Sequence, residues 1–359
     1  MGIVSKQASI AAIFSYLGVA IGFVNLTLLM ANWFTPVELG LREILLSVAV
    51  FGSQIGHLGT YRSIVKFYPF FKSDNKYDNG LLRIGLMVPF FGFLLVSGII
   101  LLFKAQIIEL YIDKSPLFVE YFLFCFPLLF LLMYNNVFES YLQARSKTAY
   151  SVFLKSILTR LLTSFLLVLF YFKVIDFYDF IVWFNFSYVI TILLFVVYLF
   201  KRGEFSLKRN PLYFTKRIKK VYYNYSAFSI LSGTSSVLVN KMDALMIASF
   251  LGLASTSIYV MGVYLSALIA IPGDSIARIS MPLLSSSWKR KRMDEISTLY
   301  QKTSATQFLL GGILLVLMWG SIDNFYQLQR AEYAEGKFVF LILGSVSYTH
   351  LTLPTKRIV

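Results

Sequence analysis

Several ionisable residues stand inside long apolar runs, where their presence calls for a chemical explanation. Arg42 and Glu43 lie near the beginning of one run, and His57 lies near its other end. Lys241 and Asp243 stand two residues apart in a later run. A charge at the centre of an apolar helix costs at least about 2.5 to 3.5 kcal/mol on insertion scales. Each of these residues is therefore a candidate functional group.

Two interpretations of the cations stay open. The planar fork of N–H donors on arginine suits bidentate contact with an anion, which favours an anion-binding role for Arg42, with Lys241 as a second cation. In the structural interpretation, Arg42 pairs with Glu43 or extends toward the membrane interface, while Lys241 neutralises Asp243. Residues two apart on a helix do not face each other, so Lys241 and Asp243 would need further partners.

His57 and Asp274 are candidates for coupling or gating. An imidazole can carry protons near neutral pH, but a lone histidine among glycines and apolar residues is more often a packed helix residue. Asp274 follows Pro272 and Gly273. In one interpretation Asp274 lies at a helix kink that acts as an inner gate. In the other it is an ordinary carboxylate at the cytoplasmic end of a helix and has no special role.

Composition indicates that these residues belong to a membrane protein. Hydrophobic residues make up 57% of the 359, and charged residues only 14%, against about 25% in a typical soluble domain. One cysteine and two histidines exclude a disulfide framework and a metal cluster. The net charge of +15 does not indicate nucleic-acid binding, because the basic residues punctuate apolar runs rather than cover a polar surface.

Apolar runs of about 18 residues or more predict some ten transmembrane helices. Helices are expected throughout, because lipid offers no partner for unpaired backbone groups. The predicted spans lie near 7–31, 40–61, 81–103, 117–139, 156–174, 179–200, 224–250, 255–276 and 303–320, with a tenth that begins at Lys337 and breaks off near Val346.

Basic residues alternate between the loops that join these spans. One set of loops holds 24 lysines and arginines and the other holds five, which predicts a cytoplasmic amino terminus. The loop 201–223 carries eight basic residues against the single acid Glu204, a pattern that attracts anionic lipid. We therefore divide the chain into a six-helix lobe at 1–200, a cytoplasmic linker at 201–223 and a second lobe at 224–346. Residues 347–359 do not continue the apolar run that precedes them, and we interpret them as a non-native tail.

The later spans carry a family resemblance. Residues 240–252, which read NKMDALMIASFLG, and the region from Pro272 to Pro282 closely resemble the Wzx-type polysaccharide-biosynthesis flippases. These belong to the multidrug/oligosaccharidyl-lipid/polysaccharide (MOP) exporter superfamily. The stretches Glu295 to Tyr300 and Tyr333 to Gly336 are similar to that family too. The resemblance covers roughly residues 1 to 346.

This resemblance implies an all-α, MATE-like fold in which two six-helix lobes enclose a cavity that opens alternately to each side. It implies transport of an undecaprenyl-pyrophosphate-linked oligosaccharide across the bacterial inner membrane, without a cofactor, a metal or covalent chemistry. Members of the family carry twelve or fourteen helices, so the second lobe here is expected to be incomplete.

The resemblance also suggests roles for the candidate residues. Arg42 and Lys241 would line the cavity from opposite lobes and attract the pyrophosphate, with Asn240 beside Lys241. Tyr264 would stack against sugar rings, although tyrosines are also common at membrane interfaces. Gating or coupling would fall to Asp243, His57 and Asp274.

Two other classes of protein compete with this interpretation. A MATE-type cation-coupled multidrug exporter would place a carboxylate in its first helix, and the span from Gln7 to Ala31 contains no acid. A membrane enzyme would need a catalytic loop or a cluster of histidines and acids. The predicted outer loops are short and lack histidine, so we expect a transporter rather than an enzyme.

Overall fold

The computed structural model describes residues 2–72, 78–208 and 215–352, and within these ranges it contains ten long helices. Eight of them are long and apolar enough to cross a membrane. The predicted all-α membrane architecture is confirmed. The ten helices are α1 (Ser9–Trp33, preceded without a break by helical residues from Gly2), α2 (Pro36–Gly56), α3 (Asp78–Leu102), α4 (Pro116–Ala144), α5 (Thr148–Tyr171), α6 (Phe177–Lys201), α7 (Lys216–Phe250), α8 (Leu253–Lys289), α9 (Met293–Gly320) and α10 (Lys337–Thr352).

The second helix begins at Pro36 and ends at Gly56, so both of its ends lie earlier than the predicted 40 and 61. Beyond Gly56 the chain turns through left-handed conformations at Leu58 (φ 47°) and Gly59 (φ 70°) before a separate helix, Thr60–Phe71, begins. A Cβ atom on Gly59 would lie 2.1 Å from the carbonyl oxygen of Ser226. Glycine is thus required by the backbone angle and by the close approach of α7.

The fifth helix begins earlier than predicted, at Thr148 rather than near residue 156. Lys155 and Arg160 therefore lie inside the apolar helix α5 and not in the preceding basic loop. Arg160 is the thirteenth of its 24 residues, close to the middle of the span. Without these two residues, the more basic set of loops holds 22 lysines and arginines and the other set holds five. The predicted difference in charge between the two sets therefore remains.

The chain forms two compact units, Met1–Thr256 and Ser257–Val359. The first unit includes α7, which packs antiparallel along α2. A Cβ atom on Gly233 would lie 1.9 Å from Gln54 Nε2, and one on Gly59, just beyond α2, would lie 2.1 Å from the carbonyl oxygen of Ser226. This close packing explains why the first unit continues past the linker 201–223. The division into functional lobes at that linker stays a prediction.

At the end of the first unit that carries the basic loops, the core is rich in aromatic side chains. Phe67 lies 5.4 Å from Tyr222 between ring centroids, and Phe138 stacks on Phe195 at 6.1 Å. All four side chains are buried. Burial of each such ring contributes roughly 2 to 3 kcal/mol, and the cluster joins α4, α6 and α7 to the helix Thr60–Phe71.

The second unit packs α10 against α8 and α9. A Cβ atom on Gly262 would lie 2.7 Å from Val339 Cγ1, and the ring of Tyr348 lies 5.6 Å from that of Phe308. Helix α10 continues to Thr352, so it extends into the segment 347–359 that was interpreted as a tail. Residues 353–359 lie outside the described residues.

Candidate functional site

A polar contact between α1 and α5 lies in the interior of the first unit. Gly18 and Gly22 occupy one face of α1, and the side chain of Arg160 lies along it. A Cβ atom on Gly18 would be 2.8 Å from Arg160 Nη1, and one on Gly22 would be 2.8 Å from Arg160 Nε. The two glycines thus provide the room in which a long cationic side chain can lie inside an apolar helix bundle.

Asn25 continues the same face of α1 and ties it to α5. Its Nδ2 donates to the carbonyl oxygen of Arg160 at 2.9 Å, and its Oδ1 accepts from Ser164 Oγ at 2.7 Å. Both helices contain a π-helical segment here, Val24–Met30 in α1 and Phe153–Leu158 in α5. Such segments are rare and frequently occur at functional sites.

Arg42 and Glu43 on α2 form the second part of the site. Glu43 is 1% exposed and the Arg42 side chain 13% exposed, and Arg42 Nη1 pairs with Glu43 Oε1. The guanidinium of Arg42 also lies over the ring of Phe184 on α6, 5.1 Å from its centroid. The structural interpretation, in which Arg42 pairs with Glu43, is therefore observed, but it leaves Arg42 in the interior of the span.

Tyr188 on α6 links the two parts. It lies within electrostatic reach of Arg42, Glu43 and Arg160 together. The formal charges of these three groups sum to +1. A net positive charge in a medium of low dielectric attracts an anion more strongly than the same charge would in water.

Two buried asparagines lie on α4 and α6. Asn135 on α4 donates to the carbonyl oxygen of Tyr188 at 3.4 Å, and Asn185 on α6 donates to that of Ile181 at 2.8 Å. The Oδ1 atoms of both asparagines are buried without a hydrogen-bond partner among the described residues. An unsatisfied buried acceptor is costly, so each can receive a hydrogen bond from a ligand hydroxyl or a water.

A second charged group lies on α4 and α5. Lys155 Nζ donates to Asn136 Oδ1 at 2.8 Å and pairs with Glu139. Lys155 precedes Arg160 by five residues, or roughly 7.5 Å along the helix. Polar groups therefore extend along α5 from near its first turns to its middle.

Lys241 lies in the same compact unit as Arg42, although the two were predicted to belong to opposite lobes. Among the described residues no ion pair joins Lys241 to Asp243, as their spacing predicts. Their roles in binding and gating stay predictions.

Three other predicted residues remain: Asn240 of the first unit, and Tyr264 and Asp274 of the second. Asn240 is exposed, and its Nδ2 donates to the carbonyl oxygen of Ser236 on its own helix at 2.6 Å. Tyr264 belongs to the second unit and is 37% exposed. Asp274 lies within α8, but its side chain is outside the described part of the chain.

His57 lies at the break that follows Gly56, just beyond the end of the α2 span. It is fully buried, its Nδ1 accepts from the backbone N–H of Gly59 at 3.3 Å, and its ring lies 4.3 Å from that of Tyr61. Burial, reinforced by the charge of Arg62, lowers the pKa of His57 to about 3. The imidazole is therefore neutral near pH 7, which argues for a structural role.

Sequence reasoning missed Arg160 and Lys155, because both were counted in a cytoplasmic loop. A signal was nevertheless present. Gly18, Gly22 and Asn25 stand at spacings of four and three residues, which places them on one face of α1. A stripe of small and polar residues on an apolar helix predicts a close or polar partner.

Comparison with known proteins gives similarity at the level of structure alone. No family model matches the sequence, and no curated protein is detectably similar to it. A multidrug resistance MATE family transporter of the MOP superfamily, in its inward-facing conformation, matches with a TM-score of 0.68. That match has 13% sequence identity and covers 97% of this chain and 84% of the other.

Two further solved structures agree. A MATE protein in complex with MaL6 has a TM-score of 0.59 at 14% identity, over 97% of this chain and 83% of the other. A MATE family transporter in the outward-facing conformation has a TM-score of 0.52 at 16% identity, over 98% of this chain and 78% of the other. The chain therefore has the fold of the MATE family transporters of the MOP superfamily.

Proposed function

We propose that this protein is a transporter that moves an undecaprenyl-pyrophosphate-linked oligosaccharide from the cytoplasmic to the outer face of the bacterial inner membrane. Alternating access is the proposed mechanism, with the amino terminus in the cytoplasm. The observation that carries the proposal is the cluster of Arg42, Glu43 and Arg160, which has a net positive charge inside the first unit.

The chemistry of the cluster suits a pyrophosphate sugar. Two arginines supply planar arrays of donors that match phosphate oxygens, and neither can lose its proton to escape burial. The free acceptor oxygens of Asn135 and Asn185 suit the hydroxyl groups of a sugar. Tyr188 offers a ring face and a hydroxyl in the same place.

Export of cationic drugs is the alternative. The solved structures similar in fold include multidrug resistance transporters, so fold does not separate the two functions. An organic cation is best bound by a carboxylate without a permanent partner. The span Ser9–Trp33 contains no Asp or Glu, and Glu43 is paired with Arg42. The excess of positive charge at the cluster therefore favours an anionic substrate.

The test is expression in bacteria that lack their own glycan flippase. Surface polysaccharide and lipid-linked intermediates on the cytoplasmic face would both be measured, and extrusion of cationic dyes would be assayed in the same strains. Wild-type protein should restore surface glycan. Arg160→Gln should abolish that restoration at normal membrane levels, whereas Arg160→Lys should retain part of it.

Arg290→Gln is the matched control, because it removes one exposed arginine far along the sequence from the cluster. It should behave as wild type. Dye extrusion without restored glycan would replace the flippase with a drug exporter. Full activity of Arg160→Gln would remove the cluster from the binding site.

A further inference from the structure

We propose that a cavity between α3 and α7 is a binding site for an anionic glycerophospholipid of the cytoplasmic leaflet. The cavity has a volume of about 460 Å³ and is lined by Arg83 and Met87 of α3 and by Lys219 and Tyr223 of α7. It lies within the first unit, at the end where the loops are basic. This inference does not depend on the proposed transport function.

The polar half of the cavity is cationic from two sides. Arg83 stands in the first α-helical turn of α3, which follows the 3-10 turn Asp78–Gly80, and Lys219 stands in the first turn of α7. Two separate helices therefore place positive charge at one cavity. A phosphodiester accepts hydrogen bonds from a guanidinium and an ammonium group at once. Tyr223 lines the same cavity, and a tyrosine side chain carries one hydroxyl donor.

The apolar half continues from it along α3. Arg83, Met87 and Phe91 are spaced four residues apart and so share one face of the helix. Met87 is 46% exposed and Phe91 is 64% exposed, and both line the cavity with Val88. Phe91 lies eight residues beyond Arg83, or roughly 12 Å along the helix, so this face extends well into the hydrocarbon.

A cation pair above an exposed apolar face is complementary to an anionic amphiphile. Anionic lipids are concentrated in the cytoplasmic leaflet, where each basic residue near the surface strengthens attraction about fivefold. A zwitterionic head group would bring its own positive charge toward Arg83 and Lys219. Repulsion would then cancel much of the electrostatic attraction. A cavity of 460 Å³ also suits a single head group, since ligand pockets of roughly 300 to 1,000 Å³ hold small molecules.

The experiment compares two variants that remove the same charges. Purified protein is exposed to vesicles of phosphatidylglycerol and phosphatidylcholine, and the retained lipid is counted by native mass spectrometry. Arg83→Gln with Lys219→Gln removes the cavity cations. Arg217→Gln with Lys220→Gln removes one arginine and one lysine that are exposed at the start of α7 and do not line the cavity.

Wild-type protein should retain phosphatidylglycerol in preference to phosphatidylcholine. The cavity variant should bind phosphatidylglycerol at least tenfold more weakly, and the matched variant less than threefold. Equal losses in both variants, or no preference for phosphatidylglycerol, would overturn the proposal.

Displacement of the retained lipid by equimolar undecaprenyl phosphate would also overturn it, in favour of a substrate site. If the double variant does not fold, Lys219→Gln against Lys220→Gln makes the same comparison. An effect of about fivefold on the first alone is then expected, and equal effects would refute the site.

Discussion

Removal of the Arg145 guanidinium should destabilise the first unit by several kilocalories per mole. Arg145 follows the last residue of α4, and its Nη1 pairs with Asp78 at the start of α3. Its Nη2 lies 3.0 Å from Glu204 Oε1, just beyond α6. Tyr141 donates to the same Asp78 carboxylate at 2.7 Å. One cation thus holds the ends of three membrane helices together.

The magnitude follows from burial. The side chains of Asp78, Arg145 and Glu204 are 2%, 11% and 13% exposed. Burial opposes the charge of Arg145, but Tyr141 and Asp78 outweigh it and raise the pKa of Arg145 above its ordinary value. Arg145→Gln would leave two carboxylates without their shared cation, and breaking a buried pair costs about 3 to 5 kcal/mol.

The measurement is thermal unfolding of detergent-purified protein, followed by fluorescence-detected gel filtration. At about 2 °C or more per kcal/mol, a value taken from domains of 150 to 250 residues, Arg145→Gln should lower the apparent melting temperature by roughly 6 °C or more. Lys201→Gln, which removes an exposed cation from the same end, should change it by about 1 °C. If the two variants melt together, the cluster does not hold these helix ends.

Three further predictions use the same assay. Gly92→Ala should lose about 1 to 3 kcal/mol, because a Cβ atom there would lie 1.8 Å from the carbonyl oxygen of Gly56, whereas Gly98→Ala, with nothing within 4 Å, should lose nothing. The pKa of His57 is lowered to about 3, so stability should be lost as pH falls below the ordinary value of about 6.5, by roughly 2 kcal/mol at pH 5, and His57→Gln should abolish that dependence. A pH-independent wild type would contradict this. Asn25→Ala removes the two side-chain hydrogen bonds that Asn25 makes with α5 and should cost about 0.6 to 2 kcal/mol; an unchanged melting temperature would show that water replaces them.

The sequence predicts the helical architecture well, because apolar runs of membrane length have few alternatives. It predicts helix ends poorly where polar residues interrupt the run. Because Lys155 and Arg160 are charged, the predicted start of α5 was placed near residue 156, whereas the helix begins at Thr148. The break after α2 was missed too, since Gly59 is needed for its left-handed angle and for the approach of α7.

Of the two arginines in the candidate site, the sequence predicted Arg42 but not Arg160. Arg42 stands out in the sequence because its apolar run is unmistakable, and the structure places it beside Glu43 as the sequence allows. Arg160 becomes visible only once α1 is packed against α5. No pattern local to residue 160 reports that Gly18 and Gly22 leave room for its side chain, because that room is a property of two helices together.

The chemistry of arginine is the reason why we propose an anionic substrate for this arrangement. A buried carboxylate or lysine can shed its charge by a shift of pKa, but a guanidinium cannot be neutralised inside a protein. Arg42 and Arg160 act on Tyr188 together with the single carboxylate of Glu43. One unit of positive charge in this group is therefore left for other groups or a ligand to compensate. A permanent charge in the middle of α5 costs free energy in every state of the protein. Binding of the proposed pyrophosphate substrate would offset that cost in the loaded state.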